Sequence, residues 1–516
     1  MGTNRRTMTG VAVAVVAALA LAGCSGEGGG DSGYASEDSG YVGPGPDGAA
    51  EAPFPSSEEP YPGPEAWDPD AEDAAWAAGM TDPQQDALST FALDIDTGSY
   101  TRFRDAASNG QYIDPAEVRT EEFINYFAQD YPSPEDGLGI TVDATTLPFR
   151  PEHRLVRVGV SSAPALSAAR QDADLALVVD CSGSMGDYGK METTKAALRT
   201  LVTSLQPTDR VAMVCYSTEA SVVLEPTPVS EREAILWAID ELSPQSSTNA
   251  AAGLALGYDL AMEMRDEGRM TRVILISDGV ANVGETDPDG ILERISTEAR
   301  SGINLISVGV GIDTYNDQLL EQLADSGDGW HVYVDTEAEA ERVFSTGLTG
   351  SLVVAAADAK AQVAFDPAQV AGYRLLGYEN RAVADEDFRN DAIDGGEVFA
   401  GHTTTALYEV ALRDGRPDGP FVLATVRYLD EEGRAVERTA TLDAGDCTDS
   451  PREASPRLHQ DLVIAMLTDR LLGGSWSDDF SDADLRDEAR AVLAAVDRDP
   501  DVVQLVSLID WATDVY

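Results

Sequence analysis

Lysine is almost missing from this 516-residue chain: only Lys190, Lys195 and Lys360 occur, and arginine supplies the other cationic side chains apart from four histidines. Thirty-five basic residues face 91 acidic ones, a formal net charge of −56. Such a surface repels phosphate backbones and anionic headgroups. It excludes a nucleic-acid partner, and any membrane attachment must come from a covalent or hydrophobic anchor. Cysteine is as scarce as histidine, and Cys24, Cys181, Cys215 and Cys447 show no Cys-x-x-Cys spacing. Neither a zinc site nor a dense disulfide framework is expected. Cys181 and Cys215 fall near the ends of two strands read as neighbours. Two small buried thiols is the reading adopted, with a bridge between them left open. No Gly-x-x-x-x-Gly-Lys loop exists to cradle phosphates, so no nucleotide is expected.

What is present begins with Arg5 and Arg6, followed by an apolar run from Val11 to Ala22. About a dozen residues are too few to span a bilayer but suit the core of an export signal. The run ends in Leu21-Ala22-Gly23-Cys24, which resembles the lipobox of bacterial lipoproteins. The resemblance implies a signal peptide over residues 1–24, diacylglycerol on the Cys24 thiol, and a lipid-anchored protein on the extracytoplasmic face of the cell membrane. An ordinary signal peptide with an incidental cysteine is the plainer alternative. Residues 25–80 are rich in Gly, Ser, Pro, Asp and Glu, and no Lys or Arg occurs between Arg6 and Arg102. Uncompensated charge and low hydrophobicity predict a disordered stalk there.

Residues 81–165 are expected to form a small α+β domain, with a strand over Ser89–Asp96, a helix over Pro115–Phe127 and two strands between Ile140 and Val160. From 172 to 348 strands and helices alternate. Leu175–Val179 and Val273–Ile276 are continuous apolar runs, the mark of strands buried on both faces. Helices are expected over Met191–Leu205, Glu231–Leu242, Asn249–Arg265 and Pro288–Arg300. The alternation predicts a doubly wound, mainly parallel α/β sheet. Residues 350–516 are expected to form a third domain which, being β-rich like residues 81–165, is expected to pack with them, the α/β unit inserted between. Its antiparallel strands include Leu352–Ala356 and Gln362–Phe365, and helices follow over Leu458–Leu472, Ala483–Val496 and Val502–Trp511.

In an open α/β sheet, ligands collect at the carboxyl ends of the strands. Three polar clusters fall there: Asp180-Cys181-Ser182-Gly183-Ser184, Thr248 after Gln245-Ser246-Ser247, and Ser277-Asp278-Gly279. Two carboxylates and three hydroxyls make an all-oxygen set, which suits a hard cation such as Mg²⁺ or Mn²⁺. Asp-x-Ser-x-Ser, a downstream Thr and an Asp-Gly after a buried strand together resemble the metal-ion-dependent adhesion site of von Willebrand factor type A (vWA) domains. The resemblance implies that Ser182, Ser184 and Thr248 ligate Mg²⁺, Mn²⁺ or Ca²⁺ through their hydroxyls, while Asp180 and Asp278 act largely through bound waters. Ser246-Ser247 stands where many relatives carry glycines. The plainer reading is that Asp180 and Ser182 merely cap the following helix. Thr90–Thr97, Arg119–Phe127 and Gly377–Arg381 are also similar to segments flanking vWA in a family of bacterial lipoproteins.

The resemblance implies a protein partner presenting Asp or Glu to the cation, and no catalysis. A non-catalytic envelope scaffold, contacting its partners through the flanking domains, is the alternative. A hydrolase is the remote one. Ser184 lacks a Gly-x-Ser-x-Gly elbow, and His331, alone at a strand start, is read as a packing or surface residue. Asp187 is read as a turn residue.

Overall fold

The computed structural model describes residues 79–516, apart from 165–170, 267, 280–294, 300–301, 312–316, 348–352, 379–380, 392, 394, 414–418 and 431–432. The expected signal segment, Cys24 and all but the last two residues of the expected stalk lie outside the described residues.

The first segment runs β1 (Leu88–Ala92), α1 (Gly98–Ser108), α2 (Thr120–Tyr126), β2 (Leu138–Leu147) and β3 (Arg150–Ser162). Helix α1 was not expected. It buries Tyr100 and Phe103, but polar neighbours on every side break up the apolar spacing. The helix expected over Pro115–Phe127 is instead a 3₁₀ turn, Pro115–Glu117, followed by α2. Val118 and Arg119 between them are extended.

Next come β4 (Ala173–Asp180), α3 (Lys190–Ser204), β5 (Arg210–Tyr216), β6 (Ala220–Pro228), α4 (Arg232–Glu241), α5 (Ala250–Met264), β7 (Met270–Ser277), β8 (Ile303–Val310), α6 (Asp317–Ser326), β9 (Trp330–Val334) and α7 (Glu337–Glu341). The strands form one sheet in the order β6-β5-β4-β7-β8-β9. All neighbours are parallel except β6, which closes one edge antiparallel to β5. Every residue of β4 and β8 is buried, as a sheet covered on both faces requires. Alternate residues feed two cores. Leu175, Leu177 and Val179 face one side, Ala176 and Val178 the other. Most of the helix expected over Pro288–Arg300 lies outside the described residues.

The remainder comprises β10 (Val354–Phe365), β11 (Val370–Leu376), β12 (Gly396–Phe399), β13 (Thr403–Leu412), β14 (Pro420–Leu429), β15 (Ala435–Asp443), β16 (Cys447–Thr448), α8 (Pro456–Leu472), α9 (Asp482–Ala495) and α10 (Pro500–Val515). Of two expected strands, the end of Leu352–Ala356 (from Val354 on) and the whole of Gln362–Phe365 belong to the single long β10; Leu352 lies outside the described residues. The two flanks pack together, as their common β-rich texture led us to expect. One sheet has the order β1-β10-β14-β15 with β12 on β10, and the other has the order β11-β13-β3-β2-β16. Each draws strands from both sides of the α/β unit, and the two share one hydrophobic core that includes Phe91, Val158, Val363 and Tyr408. The first-segment helices likewise pack with the last ones, Phe103 and Phe123 in one cluster with Leu462 and Trp476. The α/β unit is therefore inserted into a body made by its flanks. Arg104 of α1 clamps it, donating to both oxygens of Asp335 at 2.7 and 2.5 Å and to Glu339 at 3.0 Å. Arg119 pairs with Glu321 at 2.6 Å.

Candidate metal site

Strands β4 and β7 run parallel and in register, Val179 opposite Ile276, so Asp180 and Ser277 end side by side. The Ser277 hydroxyl donates to Asp180 Oδ2 at 2.8 Å, and the Tyr216 hydroxyl, at the end of β5, donates to the same oxygen at 3.2 Å. Asp180 Oδ1 accepts the Ser182 backbone N–H at 2.7 Å. Burial pushes the Asp180 carboxyl above the usual carboxylate range, and Asp278 adds to the rise, while the bonds from Ser182 and Ser277 oppose it. The carboxylate is thus held by neighbours on both sides, as an outer partner of a cation should be.

Beyond Asp180 the chain turns so that Ser182 Oγ and Ser184 Oγ lie 2.9 Å apart. Ser182 is buried, whereas Ser184 is exposed. This loop is tied to the one carrying Thr248. Gly183 N–H donates to Ser246 O at 3.0 Å, and Gln245 N–H donates to Cys181 O at 2.7 Å. A Cβ at Gly183 would lie 3.2 Å from Ser246 O, so the glycine lets these two backbones approach. Thr248 is buried just ahead of Asn249, which caps α5 by accepting Ala252 N–H at 3.1 Å. The Thr248 hydroxyl is not hydrogen-bonded to the other four residues. Asp278 follows Ser277 and is buried.

The five residues therefore stand on three adjacent loops at one end of the sheet. No three His, Cys, Asp or Glu side chains cluster as metal ligands among the described residues. This set has only two carboxylates, and its oxygen-only chemistry fits a hard divalent cation held by hydroxyls. Of the other candidates, His331 lies at the opposite, amino-terminal end of β9, buried with Nδ1 2.7 Å from Ser307 Oγ. The Asp187 carbonyl accepts Lys190 N–H at 3.1 Å within the turn.

Two features go beyond the site as it was expected. Cys181 and Cys215 form a disulfide, Cα–Cα 5.8 Å, so the thiol reading is corrected. Parallel pairing sets Val179 opposite Cys215 and Asp180 opposite Tyr216, which leaves Cys181, two residues beyond Val179, within bridging reach of Cys215. The second is Lys190, whose buried ammonium donates to Asp278 Oδ2 at 3.0 Å. Its placement one residue after a glycine at the start of a helix was the only signal in the sequence.

Residues 174–346 match the von Willebrand factor type A domain family. Residues 350–444 match a family described as uncharacterized protein YfbK, C-terminal, and residues 72–157 one described as von Willebrand factor. The uncharacterized protein YfbK of Escherichia coli (strain K12) is 34% identical over 337 residues, 64% of this chain and 59% of that protein. Inter-alpha-trypsin inhibitor heavy chain H3 of Homo sapiens is 29% identical over 179 residues, 33% of this chain and 20% of that protein. A solved structure, von Willebrand factor type A from Catenulispora acidiphila, is 16% identical with a TM-score of 0.43, covering 74% of this chain and 89% of that one. The chain spans less than two thirds of the length of these two curated relatives.

Proposed function

We propose, starting from a vWA domain set in flanks homologous to bacterial YfbK, that this protein captures an acidic residue of a protein partner through a divalent cation held by Ser182, Ser184 and Thr248. The observation that carries the reading is the meeting of the loops at the carboxyl end of the sheet, with the Ser182 and Ser184 hydroxyls adjacent and Asp180 and Asp278 at the ends of the neighbouring strands β4 and β7. Mg²⁺ or Mn²⁺, when bound, supplies an electrophile with room for a foreign carboxylate. The chain's own part is to hold that ion with neutral oxygens. Asp180 already accepts from Ser182, Ser277 and Tyr216, and Asp278 from Lys190, so both carboxylates are engaged by the chain's own donors and their charges act on the ion from a distance, through bound waters. The sequence at Cys24 supports attachment to the outer face of the membrane by lipid.

The experiment is a pull-down with intact protein from envelope extracts, with and without EDTA, repeated with Ser184→Ala. Capture that needs both the cation and Ser184 supports adhesion. Capture indifferent to both sinks it and favours a scaffold acting through its flanks.

A further inference from the structure

Lys190 has a slot built for it. Tyr188 (φ 49°) and Gly189 (φ 78°) take two successive left-handed conformations, and α3 begins directly after them. Lys190 is only 4% exposed. Its stem crosses the end of β8 against Gly311, where a Cβ would come within 2.4 Å of Lys190 Cε and 2.6 Å of Cδ. Gly311 itself has φ +87°. A glycine there leaves room for the aliphatic stem, and the ammonium reaches Asp278 Oδ2 at 3.0 Å. This lysine is one of only three in the chain. A buried cation placed beside a candidate cation site needs a reason, because like charges oppose one another most strongly where water is scarce.

We propose that Lys190 is a resident counter-cation that makes metal binding and carboxylate capture depend on each other; the inference rests on the adhesive reading above. With both carboxylates ionised, Asp180 and Asp278 contribute two negative charges and Lys190 one positive. A divalent ion then leaves the site with one net positive charge, and an incoming carboxylate neutralises it. Without Lys190 the loaded site is already neutral, so the ion binds more tightly and a carboxylate gains less by joining it. Lys190 thus holds the empty site's affinity for metal down and reserves its full strength for the ternary complex.

The test is calorimetric titration of the full chain with Mn²⁺ alone and in the presence of acetate. The wild type is expected to bind Mn²⁺ severalfold more tightly with acetate. Lys190→Gln keeps an N–H donor for Asp278 but removes the charge. It is expected to bind Mn²⁺ alone roughly tenfold more tightly and to lose most of the acetate effect. Lys190→Met, read alongside it, removes the bond to Asp278 Oδ2 and carries the folding risk, so the glutamine variant decides. Equal or weaker Mn²⁺ binding by Lys190→Gln, with thermal unfolding unchanged, overturns the inference and leaves the metal site standing. A wild type that binds no Mn²⁺ at all overturns both.

Discussion

Cys181 is bridged to Cys215 and stands between two candidate ligands, Asp180 and Ser182. The disulfide therefore fastens the first candidate-ligand loop to the end of β5. The second loop leans on the same bridge, since Gln245 N–H bonds Cys181 O and Gln245 Nε2 approaches Cys215 Sγ at 3.5 Å. The bridge spans 34 residues of sequence. Closing a loop of that size removes denatured-state entropy worth about 4 kcal/mol, of which measured bridges usually return about 2–4. The Cys181→Ser/Cys215→Ser double variant is expected to lose that much in urea unfolding and to bind Mn²⁺ more weakly. Unchanged affinity after a clear stability loss would show that the bridge serves the fold alone.

Ser184→Ala and Asp180→Ala are expected to separate ligation from folding. Ser184 is exposed, its hydroxyl bonds Ser182 Oγ alone among the described residues, and its carbonyl bond to Asp187 N–H survives the substitution, so Ser184→Ala should change stability by no more than about 0.5 kcal/mol. Asp180 is fully buried, and its loss takes the acceptor away from Tyr216 OH and Ser182 N–H, while Ser277 Oγ keeps Gly279 O at 2.6 Å. That costs about 1–3 kcal/mol for each donor left without a partner. Both variants should lose Mn²⁺ binding, but only Asp180→Ala should lower Tm appreciably. The exposed serine is thus the cleaner probe of adhesion.

Much of this was legible in advance, and the reasons are local. The strands of the α/β unit showed as apolar runs because both sheet faces are covered; Asp180, Ser182, Ser184 and Asp278 could be picked out because they close or follow such runs, and Thr248 because it opens a helix. β10 was misread because Asp358 and Lys360 interrupt its apolar pattern. Those two in fact pair at 2.9 Å, with Lys360 completely buried. The disulfide depends on the register of β4 against β5, and the Lys190–Asp278 contact on left-handed backbone at Tyr188 and Gly189. Neither leaves a periodic trace in sequence. The joining of the two flanks is a long-range pairing, β1 with β10 across more than 250 residues, which pattern alone does not specify.

Acid should attack the flanking body through Glu409. Its buried carboxylate accepts from Arg150 at 2.7 Å, His153 Nδ1 at 2.6 Å, Arg374 at 2.8 Å and Trp476 Nε1 at 2.8 Å. Burial alone would raise its pKa, but the bonds from His153 and Arg150 and the Arg374 charge outweigh that and hold it down to about 2, from an ordinary 4.5. A lowered native value means the unfolded chain takes up the proton first, so this stability is present above pH 4.5 and is lost as pH falls towards 2. The difference is worth about 3 kcal/mol. Trp476 fluorescence should report unfolding in that window. Glu409→Gln should be less stable at pH 7 by about 3–5 kcal/mol, with a flatter dependence on acid. An unaltered acid transition in the variant would remove Glu409 from the account.

Helix α5 approaches the sheet through two glycines that have different consequences. A Cβ at Gly257 would fall 2.2 Å from Val178 Cγ2, and one at Gly253 would fall 2.6 Å from the Tyr216 ring. Alanine in a helix interior gains about 1 kcal/mol over glycine. Forcing a methyl into close-packed space costs about 1–3 kcal/mol, and contacts this short sit at the costly end, so both Gly257→Ala and Gly253→Ala should destabilise. Their effects on the site should differ. Val178 points into the core and touches no ligand, whereas Tyr216 donates its hydroxyl to Asp180 Oδ2. Moving that ring loosens the carboxylate behind the metal loop. At equal loss of stability, Gly253→Ala should weaken Mn²⁺ binding and Gly257→Ala should not. Equal weakening in both would mean that α5 acts on the site only by carrying Thr248 at its start, and that the Tyr216 bond contributes nothing to cation affinity.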